Sequence, residues 1–377
     1  MKRTISIKLL TTPQQHAMFV ELQHLFATAC NLIVPVSVAN HNYNRVSLHH
    51  SVYYKIREQL PQIGSQMVCN SIYSVCKSYK TLVSNNPIYK KQQLPVINFK
   101  NTSSVHFDKK TYTLAKDSIS LYTLQGRTKV KLNLGQFQES YLEKGIPTEA
   151  ELILKGNKFY FNLVLDVPEV AKKEVGKVLG VDLGENNLAA LSSGKLFGGG
   201  KLRYERDKAL ALRSRLQRKG TQSAKQLLCK ISGKESRHVS HVNHVISKQI
   251  VNEALATDSS KIVLEDLTNI RKRINAKKKV RSRIHRWAWA ELQTFIEYKA
   301  IGKGIEVEYV NPAYTSQTCS KCGELGIRNK HKFSCSCGNL AHSDLNASLN
   351  LARLGSVLTL STGQVIVPNV GLSNKAL

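Results

Sequence analysis

The chain opens on alternation. Thr4, Ile5, Ser6, Ile7, Lys8 and Leu9 switch between polar and apolar, which predicts a strand over residues 1–10 with one face buried. At Thr12 the period changes. Thr12-Pro13-Gln14-Gln15 has the form of a helix start, with Thr12 as cap, Pro13 in the first helical position and Gln15 closing a capping box. Met18, Phe19, Leu22, Leu25, Phe26 and Cys30 follow at helical spacing and predict one buried stripe. Two more helices are predicted around 47–59 and 65–80, divided by Leu60-Pro61-Gln62-Ile63-Gly64. From about 90 to 167 the period is two, in Tyr112-Thr113-Leu114, Ile119 to Tyr122, Val130-Lys131-Leu132, Leu152-Ile153-Leu154 and Tyr160 to Val167. With the first strand, these segments predict an antiparallel barrel or curled sheet carrying a small helical insertion.

The second half mixes the two periods. Strands are predicted at 178–181, 188–191, 261–264 and 305–310, and helices at 201–219, 238–257 and about 286–301. Val239, Val242, Val245, Ile246 and Ile250 give the second of these helices its apolar face. The order strand, strand, helices, strand, helix, strand is mixed α/β. Residues 356–377 lack periodicity and are expected to be disordered.

Composition narrows the partners. With 377 residues the chain has room for two or three domains, and 42% apolar residues can build real cores. No apolar run is expected to reach membrane-spanning length, and the N-terminus lacks a secretory signal, so a cytoplasmic protein is expected. The 55 Lys and Arg residues against 26 Asp and Glu give a net charge of +29, which favours a polyanionic partner, nucleic acid first. Of eight cysteines, Cys30, Cys69, Cys76 and Cys229 read as core thiols, whereas Cys319, Cys322, Cys335 and Cys337 have the spacing of a metal site.

Three carboxylates stand at the ends of predicted core elements. Asp182 and Glu265 each close a strand, and Asp344 opens a helix in His342-Ser343-Asp344-Leu345-Asn346-Ala347-Ser348-Leu349-Asn350. Any one of them is explained by solvation or by the helix dipole. As a set they can converge, giving an all-oxygen site suited to Mg²⁺ or Mn²⁺. Two such ions about 4 Å apart activate a water and stabilise the leaving oxygen of a phosphodiester. In so basic a chain that is nuclease chemistry.

The cysteines form two knuckles, Cys319-Ser320-Lys321-Cys322-Gly323 and Cys335-Ser336-Cys337-Gly338. Four thiolates close a tetrahedral Zn²⁺ site with no open position, so this zinc is structural. A glycine after each pair lets backbone amides turn toward sulfur.

The segments LGVDLGENNLAAL (179–191), KIVLEDLTNIRK (261–272), YTSQTCSKCG (314–323) and FSCSCGNLAHSDLNASLNLA (333–352) together resemble the TnpB family, transposon-encoded RNA-guided DNA endonucleases related to type V CRISPR effectors. The resemblance covers about 178–355. It implies an α+β protein with an N-terminal wedge barrel (strand 1–12 and 85–170) interrupted by a helical recognition module (13–84). It further implies a RuvC-like nuclease domain of ribonuclease H fold (171–311 and 341–355) and an inserted zinc ribbon (312–340). Asp182, Glu265 and Asp344 become the catalytic, metal-binding triad, and a noncoding guide RNA and double-stranded target DNA become the partners of a protein monomer. The second knuckle departs from the family pattern, with one residue between its cysteines where two are common.

Arg271, Lys272, Arg273, Lys277, Lys278, Lys279, Arg281, Arg283 and Arg286 follow Glu265 without an intervening acid after residue 270 and are expected to contact phosphates. Trp287 and Trp289 read as helix packing. His238, His241 and His244 read as a polar helix face or RNA contact, because no acidic or thiol partner accompanies them. The function expected is cleavage of guide-matched DNA beside a short flanking motif. The alternatives are an RNA-guided repressor that does not cut and a conventional transposase of ribonuclease H fold.

Overall fold

Thr12 makes the hydrogen bonds its sequence context requires. Its Oγ1 accepts from the Gln15 amide at 3.2 Å, and Gln15 Oε1 accepts from the Thr12 amide at 3.0 Å, so two amides that a helix start would orphan are satisfied. In the computed structural model, which describes residues 1–268, 281, 287–311 and 316–360, this junction joins β1 (Lys2–Leu10) to α1 (Pro13–Ala39). Phe19, Leu22, Phe26 and Cys30 are buried, whereas Met18 and Leu25 at the margins of the stripe are half-buried. Contrary to expectation, α1 is long and apolar enough to cross a membrane by length and composition. Its apolar side is instead occupied by the core of its own unit, together with α2 (Arg45–Gln59) and α3 (Ser65–Asn85).

The chain divides into two compact units, Met1–Glu169 and Val170–Leu377. In the first, β2 (Val105–Phe107), β3 (Tyr112–Leu114), β4 (Ser118–Thr123) and β5 (Gly126–Asn133) precede a short helix, α4 (Gln136–Leu142), and the hairpin of β6 (Ile146–Lys155) and β7 (Lys158–Asp166). With β1 they make one antiparallel sheet in the order β2-β6-β7-β1-β5-β4-β3. Its two edges are consecutive in sequence. Four residues link β2 to β3, so the edges lie within about 18 Å of each other. Phe107 from one edge and Tyr112 from the other both pack edge-on against Phe161 of β7, with ring centres 5.7 and 5.5 Å away. The sheet therefore curls into a nearly closed barrel that shares its core with α1–α3.

The second unit is built on β8 (Lys177–Asp182), β9 (Asn187–Leu191) and β10 (Leu196–Gly198). Three helices follow: α5 (Gly200–Lys219), α6 (Gln222–Ile231) and α7 (Lys234–Ala256). Next come β11 (Ser259–Glu265), α8 (Trp289–Ile301) and β12 (Glu306–Val310). The sheet order is β10-β9-β8-β11-β12, with β8, β11 and β12 parallel and β9 antiparallel to β8. Leu179, Val181, Ile262 and Leu264 face α7 and α8, where Ile246, Ile250, Leu292 and Ile296 complete the core. Trp287 and Trp289 are buried in this layer with ring centres 4.6 Å apart.

A ribbon of three short strands, β13 (Ile327–Asn329), β14 (Lys332–Ser334) and β15 (Leu340–His342), leads into α9 (Ser343–Leu360). This helix covers the other sheet face. Gly180 lets it approach: a Cβ there would stand 1.9 Å from Ser348 O and 2.5 Å from the Ala352 nitrogen. Gly355 does the same from the helix side, where a Cβ would meet Val263 Cγ2 at 2.3 Å. The expectation of disorder from Ser356 is corrected for 356–360, which continue α9, and its remainder, 361–377, lies outside the described residues.

Candidate active site

Side chains alternate along a strand, so Asp182 lies on the same face as Gly180, and Glu265 on the same face as Val263. Both are on the side that α9 covers. The parallel register pairs Leu264 with Val181, which puts Glu265 and Asp182 next to each other at the carboxyl ends of neighbouring strands. α9 runs against the strands: Gly355 packs by Val178 and Val263, Ser348 and Ala352 by Gly180, and Asp344 starts the helix beyond them. The three predicted carboxylates thus come from two strand ends and one helix N-terminus at a single end of the sheet.

Their fields overlap. Partial burial, then the charge of Glu265, then that of Asp344 push the Asp182 carboxyl up to about 8, with Arg328 opposing. A cluster this short of positive charge, offering only oxygen donors, fits a hard divalent cation. The site is at the opposite end of the sheet from a cavity of about 590 Å³ lined by Lys172, Lys173, Lys177, Ser260, Lys261 and Glu306, which contains none of the predicted site residues.

Asp344 is held by groups that the sequence reading did not single out. Asn187 Nδ2 donates to its Oδ2 at 2.9 Å, and Ser343 Oγ to its Oδ1 at 3.2 Å. Arg328 Nη2, from β13, stands 3.3 Å from Oδ1. Glu265 is placed by its backbone, whose carbonyl accepts from Gln293 Nε2 of α8 at 2.8 Å. Arg328 is remote in sequence and becomes a neighbour only through the hairpin of β13 and β14. Asn187, in contrast, lies within the same motif as Asp182.

The four clustered cysteines converge. Cys319 Sγ is 3.7 Å from Cys337 Sγ, and Cys322 Sγ is 3.5 Å from Cys335 Sγ. Tetrahedral metal–sulfur bonds of about 2.3 Å require sulfur separations of about 3.8 Å, so the set fits Zn²⁺ despite the shortened second knuckle. Gly323 and Gly338 adopt φ of +86° and +79°, the left-handed turn that closes each knuckle. Although burial pushes the Cys319 thiol up, hydrogen bonds from the Cys322 amide, the Asn339 side chain and the Lys321 amide bring it below the usual thiol range. Asn346 and Asn350, one helical turn apart, both donate to Thr318 O at 2.7 Å, and Asn346 Oδ1 accepts from the Ser320 amide at 2.9 Å. The first knuckle is therefore fastened to the helix that carries Asp344. We expect one tightly held zinc per chain by elemental analysis, lost in Cys319→Ser and unchanged in Cys229→Ser.

Several sequence expectations are corrected. Cys229 is no core thiol but an exposed residue of α6, and Cys69 is only partly buried. An acidic partner does accompany His238: Glu205 on α5 pairs with its Nε2. His244 stacks on Phe295 of α8, with ring centres 3.9 Å apart. Of the basic run, Arg281 is helical and exposed, while Arg271, Lys272, Arg273, Lys277, Lys278, Lys279, Arg283 and Arg286 lie outside the described residues.

Two families match the segments that build this site. One, described as a probable transposase, covers residues 162–271 and so includes Asp182 and Glu265; the other, the Cas12f1-like TNB domain, covers 289–351, including the cysteines and Asp344. Between them the two matches take in both strand-end carboxylates, the helix-start carboxylate and the four cysteines. The chain is similar to proteins of the TnpB family. It is 45% identical over 132 residues to a TnpB-like protein of Methanocaldococcus jannaschii, covering 34% of this chain and 47% of the relative. It is 30% identical over 233 residues to the CRISPR-associated endodeoxyribonuclease Cas12f1 of Sulfoacidibacillus thermotolerans, covering 52% and 50%. The chain thus spans about half the length of these two relatives. A solved Cas12f1–sgRNA–target DNA complex has a protein chain of similar fold, with a TM-score of 0.63 at 17% identity over 90% of this chain and 83% of that one.

Proposed function

We propose that this chain is an RNA-guided, metal-dependent DNA endonuclease encoded by a transposon, cutting DNA that matches its guide next to a short flanking motif. The observation that carries the reading is the meeting of Asp182, Glu265 and Asp344 at one end of the second unit's sheet, in a chain of net charge +29. That unit reads as a RuvC-like nuclease domain of ribonuclease H fold, and residues 312–340 as a zinc ribbon. The likeness to relatives named TnpB-like proteins and Cas12f1 endodeoxyribonucleases supports the same reading.

Asp182, Glu265 and Asp344 would hold Mg²⁺ or Mn²⁺, which would supply water activation and charge stabilisation at the phosphodiester's leaving oxygen. Asn187 and Ser343 fix the rotamer of Asp344, and Arg328 offsets its charge. The ribbon clamp through Asn346 and Asn350 keeps the start of α9 in place. The basic residues from Arg271 to Arg286 supply phosphate contacts, which give affinity without reading sequence. Specificity then comes from pairing between the RNA and the target strand.

The test is an exchange of guide. With protein and flanking DNA motif held constant, a new guide segment should move cleavage to the newly matched site, and mismatches next to the motif should hurt most. Cleavage that stays at the old site, or continues after the RNA is removed, sinks the proposal. A conventional transposase is the second reading, favoured by the transposase family matched over 162–271. It would join strands rather than leave free ends.

A further inference from the structure

A second group of metal-ligating side chains lies against Asp344 and has no role in the mechanism above. His331 and His342 each bring a ring nitrogen, and Asp344 a carboxylate oxygen, to within 4.8 Å of one another. The ribbon imposes this. His331 occupies the turn from β13 to β14, where Ser343 N donates to its carbonyl at 2.9 Å, and His342 ends β15 directly before α9. The two rings lie nearly parallel, with centres 5.5 Å apart. His342 Nδ1 accepts a long 3.3 Å contact from the Asp344 amide.

The donor set differs in kind from both sites already described. Two imidazoles and one carboxylate suit a borderline transition ion such as Zn²⁺ or Co²⁺ rather than Mg²⁺, and three protein ligands leave a coordination position open. His331 is exposed, so an ion has access from solvent. Asp344 already has a cationic neighbour in Arg328, whose side chain is 40% exposed and also donates from Nε to Lys330 O at 3.2 Å. Ion and guanidinium are thus alternative partners for one carboxylate.

We propose that His331, His342 and Asp344 form a transition-metal site distinct from the four-cysteine site, and that an ion bound there competes with the carboxylate trio for Asp344. The site itself does not depend on the nuclease reading; the effect of competition on cutting does.

The experiment titrates Co²⁺ into the full chain as purified. Wild type should take up one Co²⁺ beyond the ribbon metal, with visible ligand-field bands and no thiolate charge-transfer band. His331→Ala and His342→Ala should each weaken this uptake by about tenfold or more, as loss of a ligand removes at least what loss of a supporting group does. Arg328→Ala should strengthen it, and His241→Ala, a control on α7, should leave it unchanged. Absence of a second ion, or uptake that survives the double His331→Ala, His342→Ala variant, overturns the site. In parallel, excess Zn²⁺ should slow Mg²⁺-driven cleavage in wild type and much less in the double variant. Equal slowing in both overturns the competition. A chain that never cuts bears on the nuclease reading and leaves the ion count to judge the site.

Discussion

Asp182→Ala, Glu265→Ala and Asp344→Ala should each lower cleavage by about three orders of magnitude or more while RNA-dependent target binding persists. Each would remove one oxygen ligand from the proposed ions, whose charge stabilisation would be worth several kcal/mol, and each tenfold in rate is about 1.4 kcal/mol. Binding survives because pairing with the guide does not need the ions. A gel assay of cleavage beside filter binding separates the two, and an Asp182→Ala protein that cuts normally removes the assignment. Asp182 adds a stability signature. Burial and the neighbouring Glu265 and Asp344 charges push its carboxyl up to about 8 in the folded, metal-free protein, from an ordinary value of 3.8. The folded state therefore binds more protons than the unfolded one between these values. The contribution of the raised Asp182 carboxyl to stability is fully present below about 4 and is lost as pH rises toward 8. Asp182→Asn should flatten that fall, and Mg²⁺ should offset it in wild type, both read as thermal midpoints across pH.

Gly180→Ala should damage both stability and activity without touching a carboxylate. The new Cβ would lie 1.9 Å from Ser348 O, a backbone atom of α9 that cannot yield as a flexible side chain would. Either α9 lifts from β8 or the strand bends. Overpacking of this kind costs typically about 1–3 kcal/mol, and the backbone clash places it at the upper end. For a unit of this size that is a fall of roughly 6–12 °C in thermal midpoint. Cleavage should drop further than stability explains, because lifting α9 carries Asp344 away from Asp182. Gly200→Ala is the control, since nothing lies within 4 Å of its would-be Cβ. A Gly180→Ala protein with an unchanged midpoint would mean that α9 does not pack on this strand.

The local signals in the sequence reached far into this structure, and where they stopped is physically clear. Thr12, Pro13 and Gln15 satisfy one another over four residues, so the start of α1 needs no tertiary information. The strands around Asp182 and Glu265 are short buried runs whose composition admits little else. The bonds to Asp344 from Asn187 and Arg328 were not legible, because each depends on a pairing between distant segments. Asn346 and Asn350 carried a hint: polar residues four apart on a helix share one face and need a common partner. Cys229 misled because its apolar neighbours Leu227, Leu228 and Ile231 suggested a core that α6, with Ala224 its one fully buried residue, does not have. His238 misled because its acidic partner sits on another helix.

The arrangement of α9 also bears on the birth of the protein. Asp182 and Glu265 leave the ribosome long before Asp344, and the sheet face around Gly180 and Val263 stays open until the last described helix arrives to cover it. Until α9 is made the polypeptide therefore has an incomplete ligand set and an exposed apolar groove. Premature termination before the ribbon yields a product without the third carboxylate, incapable of the proposed cutting and prone to stick to other chains. Arming of the proposed nuclease therefore waits on the synthesis of α9.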